Sequence, residues 1–184
     1  VVGIGEAPVG RLGTFSLWWD EIVHVWTAQG GTVADVWTHA KQGIPPGTGN
    51  AGAVPLDYLL LHLWLRAVPA GAPELLEIRY RLPSFLFACL ALPALYAFAR
   101  RFLDAGVALV ATLLLALSLP HVLYAAEARF YALFVLATIA NLYAFARLLE
   151  RRDAPARWAA YAAVGVLYFL SGLFGLFVMG VQYA

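Results

Sequence analysis

Hydrophobic and polar positions divide the chain into two parts of different grain. Residues 1 to about 53 carry no long apolar run and are rich in Gly, Thr and Trp. From residue 83 onward, long apolar stretches follow one another with short polar breaks. A helix rises 1.5 Å per residue, so about 20 apolar residues cross a hydrocarbon core of roughly 30 Å. Segments 83–102, 106–123, 129–149 and 158–181 are near that length and read as four transmembrane helices. Their short connections predict antiparallel hairpins, and their frequent Ala and Gly allow the close helix contact that lipid requires. Pro83 suits the first turn of the first span. The expected fold class is an all-α integral membrane protein: a transmembrane bundle (83–184) with an outer loop of interfacial helices (1–82).

Within that outer loop, residues 22–41 predict one or two short helices lying on the membrane, with Trp26 and Trp37 at headgroup level. Five of the six tryptophans fall before residue 65, which marks the region as interfacial. Residues 43–52 (GIPPGTGNAG) form a turn-rich loop. Residues 55–68 are apolar but span only about 21 Å as a helix, and they carry Asp57, His62 and Arg66. This segment reads as a re-entrant or juxtamembrane helix. Residues 70–81 form a polar link containing Glu74, Glu77, Arg79 and Arg81. The start at Val1, with residues 1–4 as the tail of an earlier membrane helix, and the apolar run ending at Ala184 give the look of a fragment.

The composition agrees: 62% hydrophobic and 12% charged residues, with a mean hydropathy of +0.76, exclude a soluble domain. A net charge of +1 gives no electrostatic case for nucleic acid. Cys89 is the single cysteine and reads as a small buried packing residue. Charge also sets orientation. Arg100 and Arg101 follow the first span, while Arg147, Arg151, Arg152 and Arg157 surround the link between the third and fourth. With alternating crossings both clusters fall on one side, which the positive-inside rule makes cytoplasmic. Residues 124–129 and everything before residue 83 are then outside, provided 55–68 does not cross. A crossing there would separate the acids of residues 16–21 from Glu127.

Candidate chemistry concentrates on that outer face. Ser16-Leu17-Trp18-Trp19-Asp20-Glu21 places two carboxylates behind two tryptophans. A partly desolvated carboxylate can serve as general base toward a hydroxyl or amine, so Asp20 and Glu21 are the candidate catalytic pair; the plainer alternative is a helix cap. Arg79 and Arg81 precede the first span, where a guanidinium fork fits a phosphate or snorkels to bulk headgroups. Glu127 and Arg129 bracket a short outer link, as cavity groups or as a local salt bridge. His121 is a proton carrier or a helix end. Asn141, in mid-span, reads as a contact between helices. His24, His39, His62 and His121 are too scattered to suggest a metal site, and neither a phosphate-binding loop nor a nucleophile motif is present. No metal and no cofactor are expected.

Five motifs in order carry a family resemblance: SLWWDE (16–21), PLDYLLLHLW (55–64), RLPS (81–84), ARRF (99–102) and LPHVLYAAEARFYA (119–132). Together they resemble the N-terminal part of GT-C glycosyltransferases, nearest the protein O-mannosyltransferase and lipid A aminoarabinose transferase group. The resemblance spans about residues 11–178. It implies a multi-helix membrane enzyme that moves a sugar from a polyprenyl phosphate to an exported acceptor. The implied location is the bacterial inner (plasma) membrane, with the site on the periplasmic or outer face. It places the catalytic acid at Asp20 with Glu21 beside it. It places the phosphate ligand at Arg81, and Glu127, Arg129 and Tyr131 in the same cavity. Membrane lipid and a lipid-linked sugar are the implied partners.

The chain departs from the family pattern at Ala53-Val54-Pro55, where relatives often carry His-Pro-Pro, at Ala125-Ala126 (Ser-Gln) and at Ser171-Gly172 (Thr-His). These losses of polar groups motivate an alternative: a non-catalytic transmembrane subunit with a degenerate fold, packed against partner membrane subunits in a larger, for instance energy-converting, complex.

Overall fold

The computed structural model describes residues 17–42, 55–69 and 75–183. Residues 1–4, Ser16, the 43–52 loop, Ala53-Val54 and the first half of the 70–81 link lie outside them. The described residues form helices and no strand: α1 (Trp19–Ala28), α2 (Val33–Gln42), α3 (Pro55–Ala67), α4 (Leu76–Ala99), α5 (Ala105–Leu117), α6 (Leu119–Ala125), α7 (Tyr131–Glu150), α8 (Pro155–Ser171) and α9 (Gly175–Tyr183). Two of them, α4 and α7, are long and apolar enough to cross a membrane, and the bent pair α5–α6 makes a third if taken as one span. On α5 only Ala108 is buried, while Val107, Leu109, Val110, Leu113, Leu114 and Leu117 are exposed. A contiguous apolar face of this kind belongs against lipid. The chain is an all-α membrane protein. Cys89 is exposed on α4 rather than buried, because an apolar helix in lipid presents apolar residues outward as well as inward.

The first span begins earlier than expected. The helix starts at Leu76, so Pro83 lies inside it and the division expected between residues 82 and 83 falls within one helix. Proline has no N–H, so Pro83 leaves the carbonyl of Arg79, four residues back, without its helical partner. The indole Nε1–H of Trp64 donates to that carbonyl at 2.9 Å. A side chain of α3 thus completes the backbone of α4. Trp64→Phe is expected to lower the melting temperature in detergent, with a loss of about 1–3 kcal/mol, the cost of an unpaired carbonyl together with lost packing. An unchanged thermal scan would show that the carbonyl finds another partner.

Two other expected spans are interrupted. The 106–123 segment bends by 58° between α5 and α6. Pro120 sits in the first turn of α6, where it breaks the continuing hydrogen-bond ladder. The 158–181 segment stops at Ser171 and resumes at Gly175. A Cβ on Gly172 would stand 2.8 Å from Cδ2 of Phe134 on α7, so the chain turns where only glycine allows that approach. Gly172→Ala is expected to destabilise the protein by about 1–3 kcal/mol, and the added change Phe134→Leu should restore most of it in thermal unfolding.

One hydrogen bond and one ion pair at the helix ends fix the relative direction of α4 and α7. At their N-terminal ends Ser84 Oγ donates to the carbonyl of Arg129 at 3.2 Å. At their C-terminal ends Arg101 pairs with Glu150. The two helices therefore run parallel, and the α5–α6 segment returns the chain between them. Arg81 and Ala99, the last residue of α4, are eighteen residues apart, about 27 Å of helix, close to the roughly 30 Å of a hydrocarbon core.

Helices α1, α2 and α3 pack on one another at the N-terminal end of α4. His62 Nδ1–H donates to the carbonyl of Ala28, and Arg66 Nη1 to that of Gly31. Arg79 on α4 closes the other end of α3, donating to the carbonyls of Val68 and Leu65. Thr32 and Asp35 form a reciprocal capping box that starts α2. Val25, Ala28 and Leu61 pack with Ala128, so this layer is seated on the turn before α7.

Candidate active site

Glu21 is the centre of the layer and is fully buried. Its two oxygens accept four hydrogen bonds: Trp18 N–H at 3.1 Å, Ala128 N–H at 2.7 Å, Arg81 Nε at 3.0 Å and Arg81 Nη2 at 2.8 Å. A carboxylate has about four lone-pair directions, so none remains for a substrate. Burial pushes the Glu21 carboxyl upward; the Arg81 hydrogen bond, the two backbone N–H groups and the Arg81 charge outweigh it and hold it below the ordinary value. Glu21 bolts α1 to α4 and to the 126–130 turn. Arg81 is committed to the same bolt and to Glu77 one turn earlier, so the guanidinium read as the phosphate ligand is already neutralised.

Asp20 lies about 100° further round the same helix and points outward. Its side chain is 60% exposed, and Oδ2 stands 3.3 Å from Arg129 Nη1. Arg129 Nη2 donates to the Tyr131 hydroxyl at 2.9 Å, and the guanidinium lies 4.6 Å from the centre of that ring. Oε2 of Glu127 is 3.9 Å from Arg129 Nη1 and, although buried, receives no hydrogen bond. Asp20, Glu127, Arg129 and Tyr131 thus meet at one place, with two carboxylates sharing one guanidinium. Both contacts are looser than the two-pronged hydrogen bond of Arg81 to Glu21. The surface therefore offers an exposed carboxylate at Asp20 to take a proton and, at Arg129, a guanidinium less committed than Arg81.

The other two candidates are elsewhere. Arg79 serves the end of α3. His121 is buried in α6 and lines a cavity of about 350 Å³ with Phe85, Ala88 and Cys89 of α4.

A buried pair was not assembled from the sequence. His24 Nε2–H donates to Oδ2 of Asp57, joining α1 to α3, and the His24 ring packs on Tyr58 at 4.4 Å. Burial, followed by the Asp57 charge, pushes the Tyr58 hydroxyl up to about 12, with Arg129 opposing. The available signal was Asp57 itself, since an acid inside an apolar helix needs a partner. The partner is 33 residues away, and no local spacing reveals it.

Among the described residues no group of three metal-ligating side chains occurs. The comparisons supply the class: a membrane glycosyltransferase of the GT-C type. The chain belongs to the dolichyl-phosphate-mannose-protein mannosyltransferase family, which matches residues 60–183. That match covers α4 to α9 and most of α3, and begins after Asp20 and Glu21. No curated protein and no solved structure matches the chain.

Proposed function

We propose that this chain transfers a sugar from a polyprenyl phosphate to an exported acceptor at the outer face of a bacterial inner membrane, with Asp20 as general base. The observation that carries this reading is the outward-facing Asp20 carboxylate beside Arg129, held in place by the saturated Glu21. In the reaction the acceptor hydroxyl attacks C1 of the sugar and gives its proton to Asp20. The bond from C1 to the phosphate oxygen breaks, and the polyprenyl phosphate leaves with the negative charge. Arg129 stabilises that developing charge, and Tyr131 and Glu127 hold the guanidinium where it is needed. The arginine excess at the far end of α4 and α7 supports the outer placement of the site.

The test is transfer of labelled sugar by the full-length protein in sealed proteoliposomes. Polyprenyl-phosphate-linked sugar should be used and nucleotide sugar should not. Transfer from the nucleotide sugar, or only to acceptors enclosed on the arginine-rich side, would overturn the reading. Purification with other membrane subunits and no transfer at all would favour a non-catalytic role.

A further inference from the structure

The end of the bundle opposite Asp20 carries a groove that the proposed reaction does not use. It lies between α4, α7 and α8 and holds about 680 Å³, within the range of ligand pockets of roughly 300–1,000 Å³. Its floor is apolar and made of small side chains, Ala140 and Ala144 of α7 and Ala160 of α8 among them. Its mouth is cationic, formed by Arg147 and Arg157. From Arg147 to Ile139 the groove runs eight residues along α7, about 12 Å toward mid-membrane.

Glu150 offsets part of the charge at the mouth, but arginines outnumber acids around it. Arg157 Nη1 donates to the carbonyl of Arg147 at 2.5 Å and stands 3.4 Å from Glu150, which also pairs with Arg101. Arg101 Nε is buried without a hydrogen-bond partner. Six arginines (100, 101, 147, 151, 152 and 157) face three carboxylates (104, 150 and 153) at this end. Trp158 is half exposed at the same depth, as expected at a membrane–water boundary.

We infer that this groove binds an anionic diacyl phospholipid, with its phosphate at Arg147 and Arg157 and one acyl chain along Ala144 and Ala140. Apolar walls closed by a cationic rim match that chemistry and no neutral headgroup. The sugar donor does not fit here. Its phosphate has to lie near Arg129, about 30 Å away at the other end of α4 and α7.

The test uses native mass spectrometry of the full-length protein from mixed phosphatidylglycerol and phosphatidylcholine nanodiscs. Wild type should retain phosphatidylglycerol preferentially. Arg147→Gln with Arg157→Gln should lower that retention about thirtyfold, and Arg147→Lys with Arg157→Lys should largely preserve it. Ala144→Phe fills the floor and leaves the arginines intact; it should also release the lipid. Equal retention of both lipids by wild type overturns the inference. So does displacement of phosphatidylglycerol by an equal amount of polyprenyl phosphate, or shielding of Ala144 from a lipid-borne photolabel by another segment of the chain.

Discussion

Asp20→Asn is expected to lower sugar transfer by about 10²–10⁴-fold, the usual worth of a positioned general base. The amide keeps the shape of the side chain and loses the ability to take the acceptor proton. The loss should appear in kcat, with KM for the lipid-linked sugar little changed. Stability should hardly move. The Asp20 side of its contact with Arg129 is exposed, and pairs open to water contribute about 0–1 kcal/mol. A purified Asp20→Asn protein that melts like wild type and transfers sugar at the wild-type rate would remove Asp20 from the chemistry.

The second large effect is on stability. Glu21→Ala is expected to cost about 3–5 kcal/mol, because it leaves Arg81 and two backbone N–H groups without their acceptor. Glu21→Leu combined with Arg81→Met should recover much of that loss, since apolar replacement of a whole buried pair is often neutral. The pH dependence follows from the depressed Glu21 carboxyl. A group held below its ordinary value of 4.5 adds stability that is fully present above that value and is lost as pH falls through the folded-state value. The melting temperature should therefore be insensitive to this group near neutrality and fall below pH about 4.5. In Glu21→Gln the acid-side fall should be shallower. An identical acid profile for both proteins would show that other carboxyls control it.

The contrast between Asp20 and Glu21 also shows what a sequence displays. Both acids were visible, and so was their place at the start of a helix. Which of them turns inward depended on Ala128, 107 residues away. The apolar runs gave the all-helical membrane fold, because crossing lipid demands length and hydropathy that local composition records. They concealed the breaks at Ser118 and Gly172, which are set by the Pro120 ring and the approach of Phe134. Pro83 misled as a helix start because its cost to α4 is met by Trp64, from a different helix. The grouping of Glu127, Arg129 and Tyr131 was legible as a local motif. The commitment of Arg79 and Arg81 to protein partners was not, since both partners come from distant segments.

The hydrogen bond from Ala128 to Glu21 has a consequence for synthesis. A ribosome adding about 5–20 residues per second needs roughly 5–20 s between making these two residues. Until Arg81 is made, Glu21 has only the local Trp18 N–H of its four donors, and until Ala128 is made it still lacks one. The surface layer can lock only once the chain has passed Ala128, so its completion waits on the α5–α6 segment that comes before.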